Sequence, residues 1–156
     1  MPHSSLSPLS RCCFYLVRHG ETEWNVAGRI QGQLDSQLTE RGIQETRVLA
    51  EKLRDIIFDG IYSSDLSRAA NTAEILRLER KLAVVHHKAL RERTFGIYDG
   101  YSGDAYTKEV EHLLQQYHLL PEEERWRFKF ADGYESDFEL VDSKRMLRSS
   151  AHSRWL

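Results

Sequence analysis

Cys12-Cys13-Phe14-Tyr15-Leu16-Val17, stopped abruptly by Arg18-His19-Gly20, is the stretch on which the fold reading turns. The run is short, apolar and continuous, the pattern of a strand buried on both faces of a sheet. Polar groups just past such a strand sit where open α/β sheets place their ligands.

Working outward, Thr39 to Arg54 reads as an amphipathic helix with Ile43, Ala50, Leu53 and Ile57 near one face. Ile56 to Tyr62 reads as a second strand. Leu66, Ala69, Ala70, Ala73 and Leu76 recur at helical spacing behind a Ser63-Ser64-Asp65 cluster, so a helix capped by Ser64 or Asp65 is expected. Leu82 to His86 is a third strand candidate. A helix from about Asp104 to Tyr117 ends before Pro121, Glu122 to Lys129 reads as a surface helical turn, and Ser136 with Glu139 fits a capping box opening a last helix. Strands alternating with helices predict a parallel sheet sandwiched by helices. The expected organisation is an extension without structure over 1–11, a domain over 12–142 and a basic, unstructured tail over 143–156.

Composition narrows the function. The chain has 156 residues, 40% hydrophobic and 29% charged, with a net charge of −2. That suits one globular domain. It disfavours a protein built to coat nucleic acid or an anionic membrane, and no stretch approaches the length of a membrane span. The two cysteines are adjacent, which excludes a disulfide framework and points to a reducing, cytoplasmic setting.

From residues alone, His19 is open to four readings: nucleophile, general base, metal ligand or core residue. Arg18 beside it disfavours a metal and suits the oxygens of a phosphate. Read unaided, Arg68 is an ordinary exposed helix residue, Glu92 a member of a charged run, and Asn25 a turn residue. Asp35 reads as part of a loop turn.

Three separated motifs change that weighting: RHGETEWNVAGRIQGQLDSQLTERG (18–42), YSSDLSRAANTAEIL (62–76) and LRERTFGIYDG (90–100), with a weaker echo at Gly133-Tyr134-Glu135-Ser136. Together they resemble the histidine phosphatase superfamily, in its phosphoglycerate-mutase-like branch. The resemblance implies a three-layer α/β/α sandwich with a mostly parallel sheet. It implies His19 as the nucleophile that becomes phosphohistidine and Glu92 as the proton donor to the leaving oxygen. It also implies Arg18 and Arg68 as clamps on the phosphate, Asn25 as a neutral donor, and Gln31 and Gly32 as substrate-side contacts. No cofactor and no metal is expected. The partner is a small phosphorylated metabolite, and a homodimer is compatible with the sequence.

The family pattern also carries a second histidine late in the chain, ending a strand and followed by Gly. His112 and His118 fall in or just after a helix pattern, and His152 has no apolar run before it and precedes Ser. The chain is therefore expected to lack the final strand and helix of that fold. Phosphomonoester hydrolysis through phosphohistidine is the expected activity. Mutase-type phosphoryl transfer and a non-catalytic phosphate-binding remnant are the alternatives.

Overall fold

The computed structural model describes residues 13–78 and 80–152. A short helix α1 (Glu23–Val26) precedes α2 (Glu40–Lys52), β1 (Ile61–Ser63), α3 (Ser67–Arg77) and β2 (Val84–His86). Single 3₁₀ turns at Lys88–Leu90 and Gly96–Tyr98 lead to α4 (Gly103–Leu119), α5 (Glu122–Arg125) and α6 (Asp137–His152). β1 and β2 pair in parallel, Ile61 against Val84 and Ser63 against His86, with α3 as the crossover. This is one β-α-β unit, the parallel arrangement the alternation predicts.

α2 begins where Thr39 Oγ1 accepts the Gly42 amide at 3.0 Å and carries Glu40 and Lys52 at the dipole-favoured ends. Its buried stripe is Gly42, Thr46 and Ala50, spaced by fours. These small residues let α2 lie close to α3, which buries Arg68, Thr72 and Ala73. A second core gathers under α4. Val110 is sealed there, and edge-to-face rings run from Tyr106 through Phe95 to Tyr134. The Ser136–Glu139 capping box forms as expected. Glu139 accepts from the Ser136 amide at 3.0 Å, and Ser136 Oγ accepts from the Glu139 amide at 3.3 Å.

Three expectations need correction. Residues 13–20 form no strand, and Phe14 and Leu16 are 81% and 94% exposed. A strand buried on both faces needs a ladder on each edge and a layer over each face. Among the described residues no ladder reaches 13–17, and Tyr15 is held by an edge-on contact with the Phe58 ring at 5.3 Å. Cys12 and the 1–11 extension lie outside the described residues.

The cap of α3 is neither Ser64 nor Asp65. Leu66 is the N-cap residue, without a side-chain cap bond. The Ser67 and Arg68 amides donate instead to the Asp35 carboxylate at 3.0 and 3.5 Å. Asp65 is drawn off by the Arg91 guanidinium, which grips it with two bonds of 2.7 and 2.6 Å.

The segment from 143 is no unstructured tail as far as it is described, because α6 runs on to His152. Lys144, Arg145, Met146, Leu147 and Arg148 are good helix formers, and no Gly or Pro interrupts them. Lys144 also ties the helix back by donating to the Arg91 carbonyl at 3.0 Å.

Candidate active site

His19 stands at the end of the extended entry segment, half-buried. Its Nδ1 lies 2.8 Å from the Gly20 carbonyl. A carbonyl can only accept, so Nδ1 carries the proton and Nε2 keeps its lone pair. Burial lowers the His19 pKa. The Gly20 bond and Glu92 pull it up, while Arg68 and Arg18 push it down. The net direction is downward, which favours the neutral ring. The same pattern shows that Arg18, Arg68 and Glu92 all lie within electrostatic reach of one imidazole.

Two helices hold the backbone that carries this ring. A Cβ on Gly42 would sit 2.6 Å from the Glu21 amide nitrogen, so only glycine lets α2 press against residues 20–21. From the other side, the Gly20 amide donates to Thr72 Oγ1 of α3 at 3.0 Å.

Arg68 is 2% exposed rather than an open helix residue. Its Nη1 donates to the Leu34 carbonyl at 2.6 Å and reaches Asp35 at 3.5 Å, and its Nη2 donates to the Gly32 carbonyl at 2.7 Å. A guanidinium has five N–H donors. These contacts leave Nε–H and one Nη2 hydrogen for a ligand. Burial lowers the Arg68 pKa, opposed by Asp35, Glu92 and Asp99.

The N-terminus of α3, where Arg68 sits, is taken by the Asp35 carboxylate. Asp35, which reads in the sequence as part of a loop turn, is thus the residue that supports both the start of α3 and the Arg68 guanidinium. It sits 32 positions before Ser67, and no local pattern marks such a cap.

Gly32 belongs to the same loop. Its φ is +51°, and a Cβ there would overlap the Asp99 carboxylate. Asp99 itself accepts from the Gln33 amide at 3.2 Å, from Thr94 Oγ1 at 3.0 Å and from the Phe95 amide at 2.8 Å. Gly32 therefore acts on the site through its carbonyl on Arg68. Gln31 is 8% exposed, and its Oε1 has no partner among the described residues.

Asn25 sits in α1. Its Oδ1 accepts from the Thr22 amide and hydroxyl, both at 3.1 Å, completing a capping box. The turn-shaping reading of Asn25 is thus correct, and only its NH2 end is left to meet a ligand. Glu92 is exposed and accepts the Arg93 amide at 2.8 Å. His112 and His118 lie within α4 and His152 ends α6, so none of these three follows a strand. Among the described residues no group of three or more His, Cys, Asp or Glu side chains could hold a metal. No helix there is long and apolar enough to cross a membrane.

Comparison with known proteins shows what the chain is similar to. The chain is 41% identical over 121 residues to the probable phosphoglycerate mutase GpmB of Yersinia pestis (strain Pestoides F), covering 78% of this chain and 50% of that protein. It thus spans about half the length of the curated relatives it matches. The mycobacterial glucosyl-3-phosphoglycerate phosphatase complexed with VO3 superposes with a TM-score of 0.74 at 29% identity, over 88% of this chain and 65% of that one. The phosphoglycerate mutase of Bacillus anthracis (strain Sterne) gives a TM-score of 0.60 at 34% identity, over 82% and 53%. Residues 14–133 match the histidine phosphatase superfamily (branch 1). With the α/β fold, the three motifs and a profile that spans most of its length in agreement, the chain belongs to the histidine phosphatase superfamily.

Proposed function

We propose that this site hydrolyses a small phosphomonoester through a phosphohistidine on His19 Nε2. The observation that carries the reading is the bond between His19 Nδ1 and the Gly20 carbonyl, which leaves Nε2 unprotonated on a ring within electrostatic reach of two arginines and a carboxylate. Nε2 attacks phosphorus in line, the P–O bond to the leaving alkoxide breaks, and the alkoxide takes a proton. Water then attacks phosphorus and gives its proton to the carboxylate that protonated the alkoxide, the P–N bond breaks, and inorganic phosphate leaves with the ring restored. Such chemistry asks mainly for positioning and for positive charge around the equatorial oxygens. Arg18 and the remaining donors of Arg68 supply that charge, with the Asn25 NH2 as a neutral donor, so no step requires a metal.

Glu92 is the proton donor in this reading. A bound phosphate dianion raises a neighbouring carboxyl by like-charge repulsion, which lets it hold a proton near neutral pH. Gln31 is the substrate-side residue of this loop, and Gly32 serves the site by holding Arg68 through its carbonyl. The adjacent cysteines, of which Cys13 is free and exposed, fit a reducing, cytoplasmic location.

Mutase activity is the second reading, favoured by the 41% identity to a protein named as a probable mutase. It requires the phosphohistidine to outlast product exchange. Hydrolysis of an aryl phosphate by the chain and by His19→Ala tests the main proposal. A loss on the order of 10³-fold or more in His19→Ala is expected, and equal rates would leave only a phosphate-binding remnant. Glu92→Gln should slow alkyl phosphates by about 10²-fold and barely affect phosphates with acidic leaving groups. Equal slowing would remove Glu92 from the proton step.

A further inference from the structure

We infer that Thr72 is a positioning residue for the phosphoryl-transfer step: its hydroxyl fixes the His19–Gly20 backbone and thereby aims the imidazole. The inference rests on the proposed phosphohistidine chemistry, to which it adds a residue.

Thr72 is buried in α3, one turn after Arg68. Its Oγ1 donates to the Arg68 carbonyl at 2.7 Å. That bond uses the hydroxyl's one hydrogen and turns its lone pairs outward from the helix. One of them receives the Gly20 N–H at 3.0 Å. The carbonyl of Gly20 in turn receives the Nδ1–H of His19 at 2.8 Å. Gly20 is thus gripped through both of its peptide groups, by α3 on one side and by the ring on the other. A single hydroxyl links the backbone that sets the tautomer to the backbone that carries the buried guanidinium.

The rest of the entry segment cannot do this. Residues 13–18 are exposed and have no ladder. Among the described residues, the Gly20–Thr72 bond is the hydrogen bond that ties 13–20 to another element. Serine could replace the hydroxyl, whereas valine keeps the shape and removes the acceptor, leaving the Gly20 amide unpaired.

The test uses the full chain and compares wild type, Thr72→Val and Thr72→Ser. Misplacing a reacting atom by about 1 Å costs ~10²-fold. Thr72→Val is therefore expected to lower kcat by about that factor with KM little changed, and Thr72→Ser to recover most of it. Independently of turnover, ¹⁵N spectra of the His19 ring should report the Nδ1–H tautomer in wild type and Thr72→Ser. In Thr72→Val they should report a mixture. The Gly20 amide should exchange slowly in wild type, a measurement that stands even if the valine variant fails to fold. A wild-type chain no more active than His19→Ala would defeat the phosphatase reading alone, and the spectra would still decide the role of Thr72. Unprotected Gly20 in wild type, or an unchanged ring tautomer in folded Thr72→Val, would overturn it. So would a valine variant as active as wild type.

Discussion

Gly20 and Leu16 lie four residues apart on one extended segment, yet their surroundings are opposite. Gly20 is clamped between α2 and α3, so closely that Gly42 admits no side chain and Thr72 takes its amide. Leu16 is 94% exposed, and with Phe14, Ile57 and Tyr62 it leaves apolar side chains open. The His19 ring is therefore anchored from the helices ahead of it, not from the apolar run behind it. The contacts that hold the ring are made after His19, and the apolar run before it contributes little.

The largest effect expected from breaking this comparison is at Arg68. Arg68→Ala removes a buried guanidinium and strands the Gly32 and Leu34 carbonyls that it satisfies. A loss of about 3 kcal/mol in urea unfolding is expected, together with nearly complete loss of turnover. A variant as stable as wild type would mean that the 32–35 loop is not held by this residue.

Gly42→Ala comes next. Its methyl would press into the Glu21 backbone and push α2 away from residues 20–21, costing about 1–3 kcal/mol and lowering turnover with it. A gain in stability, as helix propensity alone would give, would show that α2 does not pack against residues 20–21.

The smallest effect is at the other region. Leu16→Ser should change stability by no more than ~0.5 kcal/mol and leave kcat unchanged. A cost above about 2 kcal/mol would mean that the run is buried after all and would erase the contrast.

A pH series sharpens the comparison from the Gly20 side. Burial holds His19 below its usual 6.5 in the folded chain, so the unfolded chain binds more protons as pH falls through 6.5. Stability should then rise as pH increases from below His19's folded value to above 6.5. His19→Gln should flatten that part of the curve, and an unchanged slope would mean that the ring is not desolvated.

Local signals were the legible ones. The starts of α2 and α6 follow from Thr39 and the Ser136–Glu139 box, and the span of α3 follows from its apolar spacing. The motif residues His19, Arg18, Arg68 and Glu92 are legible as a group through the family resemblance, and both arginines and Glu92 act electrostatically on the His19 ring. What failed was decided at long range. An apolar run is a strand only if neighbours pair with it, and nothing within 12–17 encodes those neighbours. Asp35 caps a helix more than thirty positions away, while Asp65, the local candidate, is captured by Arg91. The helix beyond Ser143 is not legible in the sequence because it lacks a clear apolar face. Its cap and the Lys144 contact hold it instead.

The most direct test of the central claim is to trap the intermediate. The chain is mixed with a ³²P-labelled monoester, quenched in alkali and separated from free label. An alkali-stable, acid-labile phosphoryl group on His19, absent from His19→Ala and discharged to inorganic phosphate by water, is the predicted result. Turnover that proceeds with no label on the protein, or label retained equally in His19→Ala, would contradict the account.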